Sequence, residues 1–98
     1  MTDTTLKIDL EGRNLLSVFM WGETGMYGSI ISWNDLMPVV EKIESLEFSF
    51  DIVNNQANII SDRGDEKWLK EYPTKLESVY HVIVDFLRWY NEQQSIKQ

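Results

Sequence analysis

The sequence predicts one small α+β domain over residues 1–98, in which a β-hairpin, 48–61, packs against two main helices, 33–46 and 75–93, beside a short N-terminal helix or strand. Three observations carry this. Apolar residues recur at helical spacing in two separate segments, and the period switches from 3.6 to 2 between them. The chain is also too short to divide, since two halves of about 50 residues would each need disulfides, metal or oligomerisation to fold.

Leu6, Ile8 and Leu10 alternate with Lys7, Asp9 and Glu11, the pattern of a half-buried strand. Beyond Gly12, Leu15 pairs with Phe19 and Leu16 with Met20 at helical spacing, and Gly22 stands where a left-handed cap is expected. A helix over 12–21 follows, a hairpin with 5–10 being the alternative. The next stretch, with Gly22, Gly25 and Gly28, reads as a loop.

Ser32 followed by Asp35 is a short form of the capping box. Trp33, Leu36, Val40, Ile43 and Glu47 then share one helical face, which Val39 and Leu46 widen. Pro38 lacks the amide proton that would bond Asn34, so a kink or restart is expected there. The exposed side carries Glu41, Lys42, Glu44, Ser45 and Glu47.

Phe48, Phe50 and Ile52 alternate with Ser49, Asp51 and Val53, and Asn54-Asn55 tolerates the positive φ of a tight turn into 56–61. A turn over 62–65 leads to a short helical turn expected at Glu66–Tyr72, ending before Pro73. Thr74 with Glu77 completes a capping box, and Leu76, Val79, Tyr80, Ile83, Leu87 and Tyr90 form a stripe that Val82, Phe86 and Trp89 broaden.

Composition excludes several chemistries. With no cysteine there is no disulfide, thiolate metal site or thiol nucleophile, and a single histidine leaves little acid–base capacity near neutrality. The net charge of −7 argues against direct duplex nucleic-acid binding, which rests on lysine and arginine. Residues 34–47 carry one basic against four acidic side chains, the most acidic stretch. That acidity either serves solubility or complements a basic groove on a partner. The first residues lack a basic leader, and no apolar run approaches the roughly 18 residues of a spanning helix, so a cytosolic protein without membrane association is expected.

Candidate sites are few. Asp62, Asp65 and Glu66 lack the ligand alternation of a calcium loop. His81 with Asp85 one turn on has no serine elbow to serve. The glycine loop lacks the lysine and hydroxyl of a phosphate cradle, but Trp21, Met26, Tyr27 and Trp33 flank it and offer faces for a planar ligand. Trp33 and Trp89 fall near apolar stripes and are expected in the core. Trp68, in a charged context, is expected partly exposed, making Trp68, Trp21 and Tyr27 candidate anchors.

The segments Trp33-Asn34-Asp35-Leu36-Met37-Pro38-Val39-Val40-Glu41-Lys42-Ile43-Glu44 and Phe86-Leu87-Arg88-Trp89-Tyr90-Asn91 resemble short uncharacterised proteins of bacterial phages and mobile elements. Leu15-Leu16-Ser17-Val18-Phe19-Met20 is similar to the helix that opens them. The chain departs at Asn34-Asp35 and in the 22–28 loop. The resemblance implies no enzymatic activity, cofactor or ligand residue; it implies a context in which small acidic proteins inhibit bacterial defence. The leading expectation is therefore a non-enzymatic inhibitor of a defence nuclease such as a CRISPR effector, in the host cytoplasm. Its face of Glu41, Glu44, Glu47 and Asp51, with Trp68, would fill the nuclease's basic channel. The alternatives are a sponge for a nucleotide signal, built on residues 21–33, and a homodimeric regulatory module.

Overall fold

The computed structural model describes residues 5–96 as an α+β domain. In order, the elements are β1 (Thr5–Lys7), α1 (Leu10–Trp21), β2 (Ile30–Ser32), α2 (Trp33–Ser45), β3 (Phe48–Val53), β4 (Gln56–Ser61), β5 (Lys67–Glu71) and α3 (Lys75–Ile96). Strands β1 and β2 form one antiparallel pair, and β3-β4-β5 form a separate antiparallel sheet.

The hairpin forms as its sequence predicts. Val53 pairs with Gln56 across Asn54-Asn55, and Asn54 takes the left-handed backbone, φ 56°, that such a tight turn requires. Strict alternation then divides the sheet. Phe50, Ile59 and Trp68 stand in register on the face toward α3, while Asp51, Asn58 and Leu69 stand on the other. On the inner face Phe86 of α3, fully buried, lies 4.8 Å from the Phe48 ring and 5.1 Å from that of Trp68, both edge-to-face.

Residues 66–72 depart from the expected helical turn. They contain β5, because the cross-strand partner β4, unseen in local periodicity, supplies the backbone partners that a lone charged turn lacks. The N-terminus departs as well. The helix begins at Leu10, two residues before Gly12, and the strand before it pairs with residues 30–32 instead of with 12–21 or the central hairpin. Asp9 explains the early start: its carboxylate accepts the Gly12 amide at 2.9 Å as an N-cap. Asp9→Ala is expected to cost about 1 kcal/mol, read as a lower denaturant midpoint at unchanged slope.

Helix α2 runs through Pro38 without restarting. Asn34, whose carbonyl loses its helical partner, is exposed, so water can serve that oxygen. The helix opens with the Asp35 carboxylate accepting the Ser32 amide at 2.8 Å and stops one residue earlier than expected. At the start of α3 the Glu77 amide donates to the Thr74 hydroxyl at 3.2 Å. Leu16, Leu36, Ile43, Ile59, Ile83 and Leu87 are fully buried, so all three helices and the larger sheet share one core.

Candidate functional site

Glu41 and Glu44 lie one turn apart on the solvent side of α2, both exposed. Their one cationic neighbour on that face is turned away: Lys42 donates to the Phe19 carbonyl, near the C-terminus of α1, with its ammonium 4.8 Å from the Phe19 ring centre. A cation there suits the negative end of α1. It also leaves the two glutamates uncompensated. The described ion pairs, Lys70–Asp85, Arg88–Glu11 and Arg88–Asp85, include none of Glu41, Glu44, Glu47 or Asp51.

The four acids do not share one element or one face. Glu47 lies beyond α2 in the turn to β3, held at φ 71°, a left-handed conformation that favours glycine. Asp51 belongs to the sheet face turned away from α3, beside exposed Ser49 and Val53. Asn58, in register with Asp51, is buried on that face, with its side-chain oxygen unpartnered among the described residues.

The aromatic candidates differ in exposure. Trp68 is partly exposed, as expected, and its buried part contacts Trp89 at 4.9 Å and Phe48 at 6.1 Å between ring centres. Strand alternation turns it inward with Lys70 and sends Lys67, Leu69 and Glu71 to solvent. The alternation was available in the sequence but was masked by the adjacent apolar pair Trp68-Leu69. Trp21, 59% exposed, fits the role of anchor, whereas Tyr27 is half-buried against the core. The 22–28 loop is tied down: the Ser17 hydroxyl donates to the Glu23 carbonyl and accepts the Met26 amide, and Arg13 reaches the Tyr27 carbonyl. Trp33 and Trp89 pack against the core while remaining half-buried.

A cleft that sequence reading missed lies over α3 between β1 and β5. Its volume is about 360 Å³, and Lys7, Asp9, Lys70, Tyr72, Tyr80 and Val84 are among its lining residues. The polar groups here bind one another. The Tyr80 hydroxyl donates to Asp9 at 3.3 Å; Asp85 holds Lys70 at 3.0 Å; His81 stacks on Tyr72 with ring centres 4.2 Å apart. His81 and Asp85 thus have separate structural partners and form no relay. The Gly12 amide holds the Asp9 carboxyl below its ordinary range, and burial pushes the Tyr80 phenol up. Burial likewise lowers the His81 imidazole, against opposing fields from Glu77, Asp85 and Asp9 and with Lys70 adding to the shift. No group of three or more histidine or acidic residues suited to a metal occurs among the described residues.

The His81 shift fixes a sign. Protonation favours the unfolded chain, so its contribution to stability is intact above the ordinary value of 6.5 and is lost as pH falls through the depressed folded value. The melting temperature is expected to decline from pH 7.5 toward 5, and His81→Gln to flatten that decline. A wild-type profile level across this range would contradict the assignment.

No helix among the described residues is long and apolar enough to cross a membrane. Comparison with protein-family models, with curated proteins and with solved structures gives no match.

Proposed function

We propose that this chain is a non-enzymatic binding protein that occupies a basic, nucleic-acid-handling surface on a bacterial partner. The observation that carries the reading is the exposed pair Glu41 and Glu44, which no described ion pair includes, their neighbour Lys42 donating to the Phe19 carbonyl instead. These acids do not serve the helix. Glu44 lies in the last turn of α2, where the helix dipole disfavours a negative charge, and Glu41 repels it from one turn away. Glu47 holds a left-handed position at a conformational cost that glycine would not carry. Carboxylates placed against local stability, two of them one turn apart on the solvent side of α2, suit a basic groove.

The most specific form of the proposal, inhibition of a defence nuclease such as a CRISPR effector, adds the phage resemblance to that surface. Expression in a bacterium carrying such a system is expected to restore phage plating by an order of magnitude or more. Plating unchanged across a panel of nuclease defences would refute this form. Glu41→Lys with Glu44→Lys separates surface from scaffold: the fold should be unchanged or stabilised by up to about 1 kcal/mol, while protection of phage disappears. Retained protection in that stable variant would remove the acidic surface from the mechanism.

A further inference from the structure

The face of the β3-β4-β5 sheet turned away from α3 carries a polar arrangement that does not serve stability. Asn58 stands at its centre, on the middle strand, only 6% exposed, and its side-chain oxygen has no partner among the described residues. A buried acceptor left unpaired is a cost to the fold that an apolar side chain at the same point would not incur. Asp51 stands directly across from it on β3, exposed and part of no described ion pair. Leu69 stands across on the other side, on β5, 43% exposed, and Val53, 52% exposed, is the next residue of β3 after Asp51 on this face. The cation of the face, Lys67, belongs to β5, two strands from Asp51.

We infer that Asp51 and Asn58 form a receptor for one arginine side chain of a partner protein. Residues directly opposite in an antiparallel ladder hold their Cβ atoms about 4.5–5.5 Å apart, which places a carboxylate and an amide oxygen within the span of one guanidinium group. A guanidinium is planar and carries its N–H donors in a fixed fork, so one edge can serve both acceptors together. The ammonium of lysine is a compact point charge without that fork. Leu69 and Val53 offer apolar ground for the methylene stem. The Asn58 amide ends on a soft terminal torsion, so its oxygen can turn outward to meet the donor. Binding then satisfies the unpaired acceptor and adds a charge-assisted hydrogen bond at Asp51. A second copy of this chain is a poor occupant, because the face sets Asp51 and Glu71 against one lysine and each chain carries −7. An arginine has the opposite charge and the matching donors. The receptor lies on a different face from Glu41 and Glu44 and does not depend on their role.

The test titrates the blocked tripeptides acetyl-Gly-Arg-Gly-amide and acetyl-Gly-Lys-Gly-amide into the full chain, followed by NMR of backbone and side-chain amides. The arginine peptide should give saturable shifts at the Asn58 side-chain amide and at Asp51, and the lysine peptide should bind about tenfold more weakly. Asp51→Asn and Asn58→Val should each weaken arginine binding by about tenfold or more. Asn58→Val should at the same time raise the denaturant midpoint, since it replaces an unpaired buried acceptor by a residue that suits a strand. A lower midpoint in that variant would overturn the inference, because the amide would then be bonded within the sheet. Equal binding of the two peptides would overturn it by reducing the site to general charge. Shifts centred on Glu41 and Glu44, or none that saturate at Asn58, would overturn it as well.

Discussion

Phe86→Ala is expected to cost about 3–5 kcal/mol, the range for emptying a fully buried aromatic site. A domain of this class has roughly 5–15 kcal/mol in total, so the variant should lose a large fraction of its stability and, at the low end of that range, be only marginally folded at ordinary temperature. The reason is position. Phe86 has no exposed surface and meets Phe48 of β3, Trp68 of β5 and both Trp89 and Tyr90 of its own helix, so its ring joins the larger sheet to α3. Neighbours on a sheet and a helix cannot both move inward to fill the gap, so the cavity term should be near its upper range. Chemical denaturation followed by tryptophan fluorescence reads this directly, since Trp68 and Trp89 line the emptied site. A loss under about 1 kcal/mol would mean that the cluster is not the structural link described.

Gly12→Ala should also destabilise, against the usual sign. In an exposed helix interior this change gains about 1 kcal/mol. Here a Cβ would stand 1.6 Å from the Tyr80 hydroxyl oxygen and 2.7 Å from its ring carbon. Something must shift, and neither side is loose: Tyr80 is buried on α3 and bonded to Asp9, which caps the same turn that holds Gly12. A net loss of about 1–3 kcal/mol is expected. Tyr80→Phe in the Gly12→Ala background removes the nearest atom but leaves the ring carbon, so it should recover part of the loss and not all. A gain in stability from Gly12→Ala alone would contradict the close approach of α1 to α3.

These two sites illustrate what was legible in the sequence. The stripe that places Phe86 inward is a local period over many turns, and α3 and the central hairpin follow from local patterns of that kind. Gly12 is different. Its sequence context reads as a break before a helix, and only Tyr80, far along the chain, explains why a glycine sits in the first turn of α1. Strands β2 and β5 were hidden for the same reason: each is short, and its partner lies outside the local window. The acids of the candidate surface were readable as a charge cluster. That Lys42 would leave them bare was not readable, because its partner is a backbone carbonyl on α1. The cleft joins residues of β1, β5 and α3 that are far apart in the chain, so no motif marks it.

The central claim is that the molecule acts by occupying a basic surface through the acids of α2 and the turn after it. Titration of the purified protein into a purified RNA-guided defence nuclease tests it most directly, with cleavage of target DNA as the readout at two salt concentrations. The account predicts loss of cleavage near one equivalent, weaker inhibition at higher salt, and none with Glu41→Lys and Glu44→Lys. Inhibition equal in the charge-reversed variant, or absent across a panel of such nucleases at large excess, would contradict it.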